Sequence, residues 1–136
     1  MAFQPTALTF AELKKISRRR LRDAKALRPT KSYEAGFYLC GYAVEIALKA
    51  RICKTLKWSA FPTNKKAYAS FFVHDLDLLL TMSGREASVR SALLTDWSYV
   101  VDRWGPEVRY APSGSMTKAD LDQMILSTRA ILGKLL

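Results

Sequence analysis

Histidine occurs once in this chain of 136 residues, cysteine twice, and acidic residues only 12 times. A single imidazole and no cluster of carboxylates leave little from which to assemble a zinc site. The two cysteines, Cys40 and Cys53, fall on what reads as one helix. A rise of about 1.5 Å per residue would hold them roughly 20 Å apart, too far for a disulfide. They read as buried thiols of a reducing cytoplasm. No cofactor is indicated.

Long apolar runs are missing as well. The longest charge-free run in the middle of the chain is Ala35 to Val44. That falls well short of the about 20 residues a membrane-spanning helix needs. The opening Met-Ala-Phe-Gln-Pro has no basic segment followed by an apolar core, so it does not read as a signal peptide. Repeats, low-complexity tracts, a second-domain linker and a convincing strand pattern are all absent. One domain over residues 1–136 in the cytoplasm is expected, with no membrane partner.

Negative charge is scarce relative to positive. Lys and Arg number 22 against 12 Asp and Glu, a formal net charge of +10. Such an excess favours polyanionic partners: nucleic acid, nucleotides or an anionic surface. Apolar residues make up 49% of the chain, so a core is attainable at this length and a disordered or collagen-like chain is excluded.

Periodicity predicts helices throughout. Thr9-Phe10-Ala11-Glu12 has the form of a capping box. From it a helix should run to about Leu27, with Phe10, Leu13, Ile16, Leu21, Ala24 and Leu27 as its apolar stripe. Pro29 stops it. Ser32 is positioned to cap a second helix reaching about Leu56. This helix is apolar on all sides around Gly36–Val44, which marks it as the central one. Its two glycines suggest close approach of neighbouring helices. A loop over about Lys57–Val73 follows, then a short helix from His74-Asp75 that Gly84 breaks. A fourth helix is expected over about Glu86–Trp104, with Val89, Leu93, Trp97, Val100, Val101 and Trp104 on one face. After Gly105-Pro106 and an irregular loop, Thr117–Asp120 opens the last helix. The expected fold is all-α, a four- to five-helix up-and-down bundle.

Positive charge concentrates at the start. Up to Lys31 there are nine Lys and Arg against two acids. Lys14, Lys15, Arg18, Arg19, Arg22 and Lys25 fall on the first helix away from its apolar stripe. A helix of that length is about 28 Å long, enough for a phosphate backbone to lie along it. The plainer reading is a solvated face that keeps a small domain soluble. No aromatic residue interleaves these cations, so neither base stacking from this face nor sequence-specific reading is indicated.

Several segments resemble one family. Arg22-Asp23-Ala24, then Leu27, then the run from Tyr38 to Ala50 are similar to the first two helices of bacterial HEPN domains. His74-Asp75-Leu76 with Leu79 resembles the start of that family's third helix. Trp104-Gly105-Pro106-Glu107-Val108-Arg109-Tyr110 is similar to a tryptophan-to-Arg-Tyr segment of one bacterial branch. The resemblance spans about Arg22 to Tyr110. It implies a HEPN-like bundle that often dimerises. Members act as metal-independent ribonucleases, as partners of small nucleotidyltransferases in toxin–antitoxin pairs, or as nucleotide- or RNA-binding modules. Catalytic members carry Arg, four to six residues, then His near the end of the fourth helix. Here Arg103 takes the arginine place, and Arg109, followed by Tyr110, stands where His is expected. Arginine stays protonated near neutral pH and does not act as a base, although it binds phosphate well.

The candidate catalytic residues are therefore Arg103, Arg109, Tyr110 and His74, the last as the only imidazole. Each has a structural alternative. Arg103 would pair with Asp102 or Asp96, Arg109 and Tyr110 would pin the loop, His74 would help cap the third helix, and Trp104 would anchor the core. Glu45 and Lys49 stand in the favourable i, i+4 order for an ion pair. With the six cations of the first helix they form the candidate binding set. Glu45 and Lys49 read either as a structural pair or as the polar floor of an anion site shared with Arg103. The leading expectation is an RNA- or nucleotide-binding HEPN-like homodimer without robust catalysis. The alternatives are a metal-independent ribonuclease toxin and a non-catalytic docking subunit for a nucleotidyltransferase-type partner.

Overall fold

The Thr9 hydroxyl accepts the Glu12 backbone N–H at 3.1 Å, and this cap opens helix α1, Phe10–Ala26. These coordinates belong to a computed structural model, which describes residues 7–136. The reading of Met1–Pro5 lies outside the described residues. Leu13, Leu21 and Ala24 are buried on the apolar side of α1, and the turn after it contains Pro29.

Helix α2, Tyr33–Thr55, is the centre of the fold. Phe37, Cys40, Ala43, Val44, Ala47, Leu48, Ile52 and Cys53 are all inaccessible or nearly so. Ser32 does not cap it with its side chain, contrary to expectation; its hydroxyl accepts from Thr30 Oγ1 at 3.1 Å instead. The expected close approaches are present. A Cβ on Gly41 would overlap the Trp104 indole, and one on Gly36 would meet Leu121 at 2.9 Å. Trp104 is buried over Gly41 and donates its indole N–H to the Tyr38 carbonyl at 3.0 Å, so it anchors the core.

The segment between Leu56 and Asp75 contains one 3₁₀ turn, Ala69–Phe71. Its aromatics hold it down: Trp58 meets Phe61, Tyr68 and Phe71 edge-on. Helix α3, Leu76–Ser83, is capped by Asp75, whose side chain accepts the Leu78 N–H at 3.1 Å. His74 plays no part in that cap, a second departure from expectation. Gly84 ends the helix at φ +75°, a backbone that glycine adopts without steric cost.

The expected fourth helix is two helices, α4 (Glu86–Ala92) and α5 (Leu94–Arg103). Leu93 separates them at φ −134° and ψ 35°. The apolar spacing of Val89, Leu93, Trp97 and Val100 runs straight through the break. Periodicity records which side chains face inward and does not register a one-residue change of backbone. The loop after α5 contains a second 3₁₀ turn, Pro106–Tyr110. Helix α6, Lys118–Leu135, opens with the complete Thr117–Asp120 capping box.

Side-chain pairs give the helix directions. Phe10 lies beside Arg51 and Lys54, and Ser17 donates to the Ala43 carbonyl at 2.7 Å, so α1 is antiparallel to α2. Gly36 meets Leu121 and Arg51 reaches the Leu135 carbonyl, so α6 runs parallel to α2. The pairs Glu45–His74 and Thr55–Ser83 make α3 parallel to α2 as well. The described residues form an all-α bundle of six helices. None is long and apolar enough to cross a membrane.

Candidate functional site

The outer face of α1 is a row of free cations. Arg18, Arg19, Arg22 and Lys25 are exposed and Lys14 is half-exposed. Among the described residues these five form no ion pair, whereas Lys15 lies 3.7 Å from Glu12. Arg20 and Arg28, off this face, are satisfied by Asp23 at 3.0 Å and Asp122 at 2.7 Å. The face is thus a one-sign field in which each guanidinium and ammonium keeps its donors for solvent or for an anion.

A second group surrounds Glu45, which is 2% exposed in the middle of α2. Lys49 Nζ lies 3.2 Å from one carboxylate oxygen and His74 Nδ1 lies 2.8 Å from the other. The helical i, i+4 spacing delivers Lys49. The approach of the residue before Asp75, at the head of α3, delivers His74. An ionised carboxylate only accepts, so opposite ionised Glu45 the proton belongs on Nδ1, which then donates. In the neutral imidazole this leaves Nε2 with its lone pair on a side chain that is 55% exposed. Beside this group Tyr42 has its phenol pushed up by burial, then by the charge of Glu45 and by Tyr38, with Arg20 opposing.

Arg103, Arg109 and Tyr110 do not join this group. Arg103 forms no ion pair with Asp102 or Asp96; its guanidinium sits 4.2 Å above the centroid of Tyr99. Asp96 instead accepts from Ser127 at 2.8 Å. Beside Arg103 an open cleft of about 620 Å³ is lined by Leu94, Ser98, Tyr99, Asp102 and Gln123. No hydrogen bond or ion pair joins Arg103 to Glu45 among the described residues. Arg109 lines a different and larger cleft, about 680 Å³, with Tyr38, Glu34, Lys31 and Gly114. Its guanidinium lies 5.0 Å from the Tyr110 ring centroid. The phenol oxygens of Tyr110 and Tyr38 raise its affinity for the proton further, so it is a fixed cation. Tyr110 is 75% exposed, more than any other large hydrophobic side chain among the described residues.

Two features were missed in the sequence. Tyr42, Tyr38 and Trp104 form an aromatic ladder, with centroids 5.9 and 6.2 Å apart and ring planes within 25°. The i, i+4 spacing of Tyr38 and Tyr42 was the available signal. The other is a group of cations around Phe10: Lys54 at 4.5 Å, Arg51 at 5.4 Å and Lys14 at 6.0 Å from the ring centroid. Nothing local in the sequence announces it, because it joins the two ends of antiparallel helices. Among the described residues no group of three or more His, Cys, Asp or Glu side chains is arranged to hold a metal ion. Compared with protein-family models, curated proteins and solved structures, the chain matches none of them.

Proposed function

We propose that this chain is a HEPN-like domain that binds RNA along the outer face of α1, through the phosphate backbone and without sequence preference. The observation that carries this reading is the unpaired row Lys14, Arg18, Arg19, Arg22 and Lys25. Neutralising phosphates releases their counterions, which supplies affinity that does not depend on base identity. Direct titration with a single-stranded RNA across a range of salt tests it. Five contacts give a slope of log affinity on log salt of about −3.5, from roughly 0.7 per contact on single strands. Arg18→Glu, Arg19→Glu and Arg22→Glu together should abolish binding while helix content stays unchanged. Wild-type affinity in that triple variant would refute the reading. The domain is a homodimer in this reading, with exposed Tyr110 near the interface. Light scattering at micromolar concentration checks this, and a mass of 15.4 kDa would contradict it.

A second reading, a metal-independent ribonuclease, has one observation in its favour. Glu45 orients His74 as a carboxylate orients a general-base imidazole, with Nε2 left free. Against it stands Arg109 in the place where the family's catalytic members carry histidine.

A further inference from the structure

The cations around Phe10 differ in kind from the row on α1. The row spreads five charges over about three turns of α1, which suits a chain of singly charged phosphodiesters. The Phe10 group gathers three charges from two helices around one ring, all within 6.0 Å of its centroid. None of the three has an ion-pair partner among the described residues. Glu12, the acid next to them on α1, is engaged with Lys15. The Arg51 Nε–H donates to the Leu135 carbonyl at 2.7 Å, which fixes the guanidinium in place. Burial, and after it the positive charge of Arg85, lower the proton affinity of Arg51.

Three like charges within 6.0 Å of one ring centroid repel one another; the ring's π system offsets part of this, and an anion of more than one charge relieves the rest best. A phosphate monoester fits that description, with close to two negative charges and three acceptor oxygens at neutral pH. Guanidinium and ammonium donors both bind phosphate well. Base stacking does not suit the spot, since the Phe10 ring is already faced by cations.

We propose that Lys14, Arg51 and Lys54 around Phe10 form a binding site for a terminal phosphate monoester, and that it holds the phosphorylated end of an RNA strand lying along α1. The proposal rests on the backbone-binding reading above. Lys14 belongs to both the row and the cluster, so the strand would reach the cluster at the amino-terminal end of α1.

The test is titration of one RNA sequence carrying a 5′-phosphate, a 3′-phosphate or hydroxyls at both ends, with inorganic pyrophosphate as competitor. One phosphorylated form should bind about tenfold more tightly than the hydroxyl-ended strand, the scale of added charge-assisted hydrogen bonds. Lys54→Gln should erase that gain, Lys54→Arg should retain it, and pyrophosphate should suppress it in the wild type. Equal affinity for all three strands, or a gain that survives in Lys54→Gln, would overturn the site while leaving the backbone reading intact. Pyrophosphate binding that depends on Lys54, with no RNA binding of any form, would retain the cluster as a site for free phosphates and remove the RNA strand.

Discussion

The Nδ1 of His74 lies 2.8 Å from a carboxylate oxygen of Glu45, a residue 29 positions earlier and on another helix. The contact ties the head of α3 to the middle of α2, and it gives the one acid buried in the central helix its second partner. Lys49, one turn along, supplies the first.

Removing a partner from this group should cost stability, because a buried carboxylate without compensation is expensive. Lys49→Met is expected to lower the unfolding free energy by about 2–3 kcal/mol, below the full cost of a broken buried pair because Lys49 is partly exposed. His74→Ala should cost about 1 kcal/mol, the scale of one hydrogen bond from a side chain that water can replace. Urea denaturation of the two variants checks the order. A larger loss for His74→Ala would mean that the imidazole, not the ammonium, compensates Glu45.

Cleavage of a labelled RNA in the presence of EDTA decides between the two functional readings. The wild type is expected to show no robust activity. Metal-free cleavage needs a base for the 2′-hydroxyl and an acid for the leaving oxygen, and such proton transfer contributes roughly 10²–10⁴-fold. The structure holds His74 against the Glu45 carboxylate, and Arg103 and Arg109 line separate clefts. Efficient cleavage that disappears in His74→Ala and Glu45→Gln would establish the ribonuclease reading.

Gly41→Ala should be strongly destabilising despite being a change that favours helices in general. Alanine is about 1 kcal/mol better than glycine in a helix interior. Here its methyl group would overlap the Trp104 indole, whose N–H is fixed on the Tyr38 carbonyl. Overpacking of this kind costs about 1–3 kcal/mol, and Trp104 must also move. The expected result is a lower Tm with a red-shifted Trp fluorescence. An unchanged Tm would show that the indole has room to give way.

The two thiols should be inert near neutral pH. Burial pushes the Cys40 thiol up to about 12 and the Cys53 thiol up to about 11. Reaction with a thiol reagent should follow global unfolding, because the protonated thiol is not the nucleophile. In the unfolded chain both thiols ionise from about pH 8.5 upward. From there to about 12 the native state binds more protons than the unfolded one, so stability falls as pH rises. Cys40→Ala should flatten that alkaline slope in a Tm-versus-pH series, and an unchanged slope would contradict it.

Helix content, the central place of α2, the two threonine caps and the stop at Gly84 all follow from short-range chemistry: a 3.6-residue repeat, a hydroxyl three positions before a free N–H, a glycine where φ turns positive. For the same reason the Glu45–Lys49 pair was legible, since both residues sit on one helix at one turn's spacing. The break at Leu93 was not, because an unbroken apolar repeat conceals a change at one backbone position.

What remained hidden depends on which helix ends and faces meet. His74 reads as a capping residue from its place before Asp75, yet α3 returns parallel to α2 and the imidazole meets Glu45. Lys14, Arg51 and Lys54 are ordinary surface cations in sequence and become one cluster because α1 and α2 pack antiparallel. Arg103 and Arg109 are six positions apart and line different clefts, because α5 ends at Arg103 and the chain continues extended through Trp104 and Gly105. Local propensity acts over about a turn of helix, whereas the contacts of His74 with Glu45 and of Arg51 and Lys54 with Phe10 span 29 to 44 residues. Only the packing of the core brings such distant positions within reach of one another.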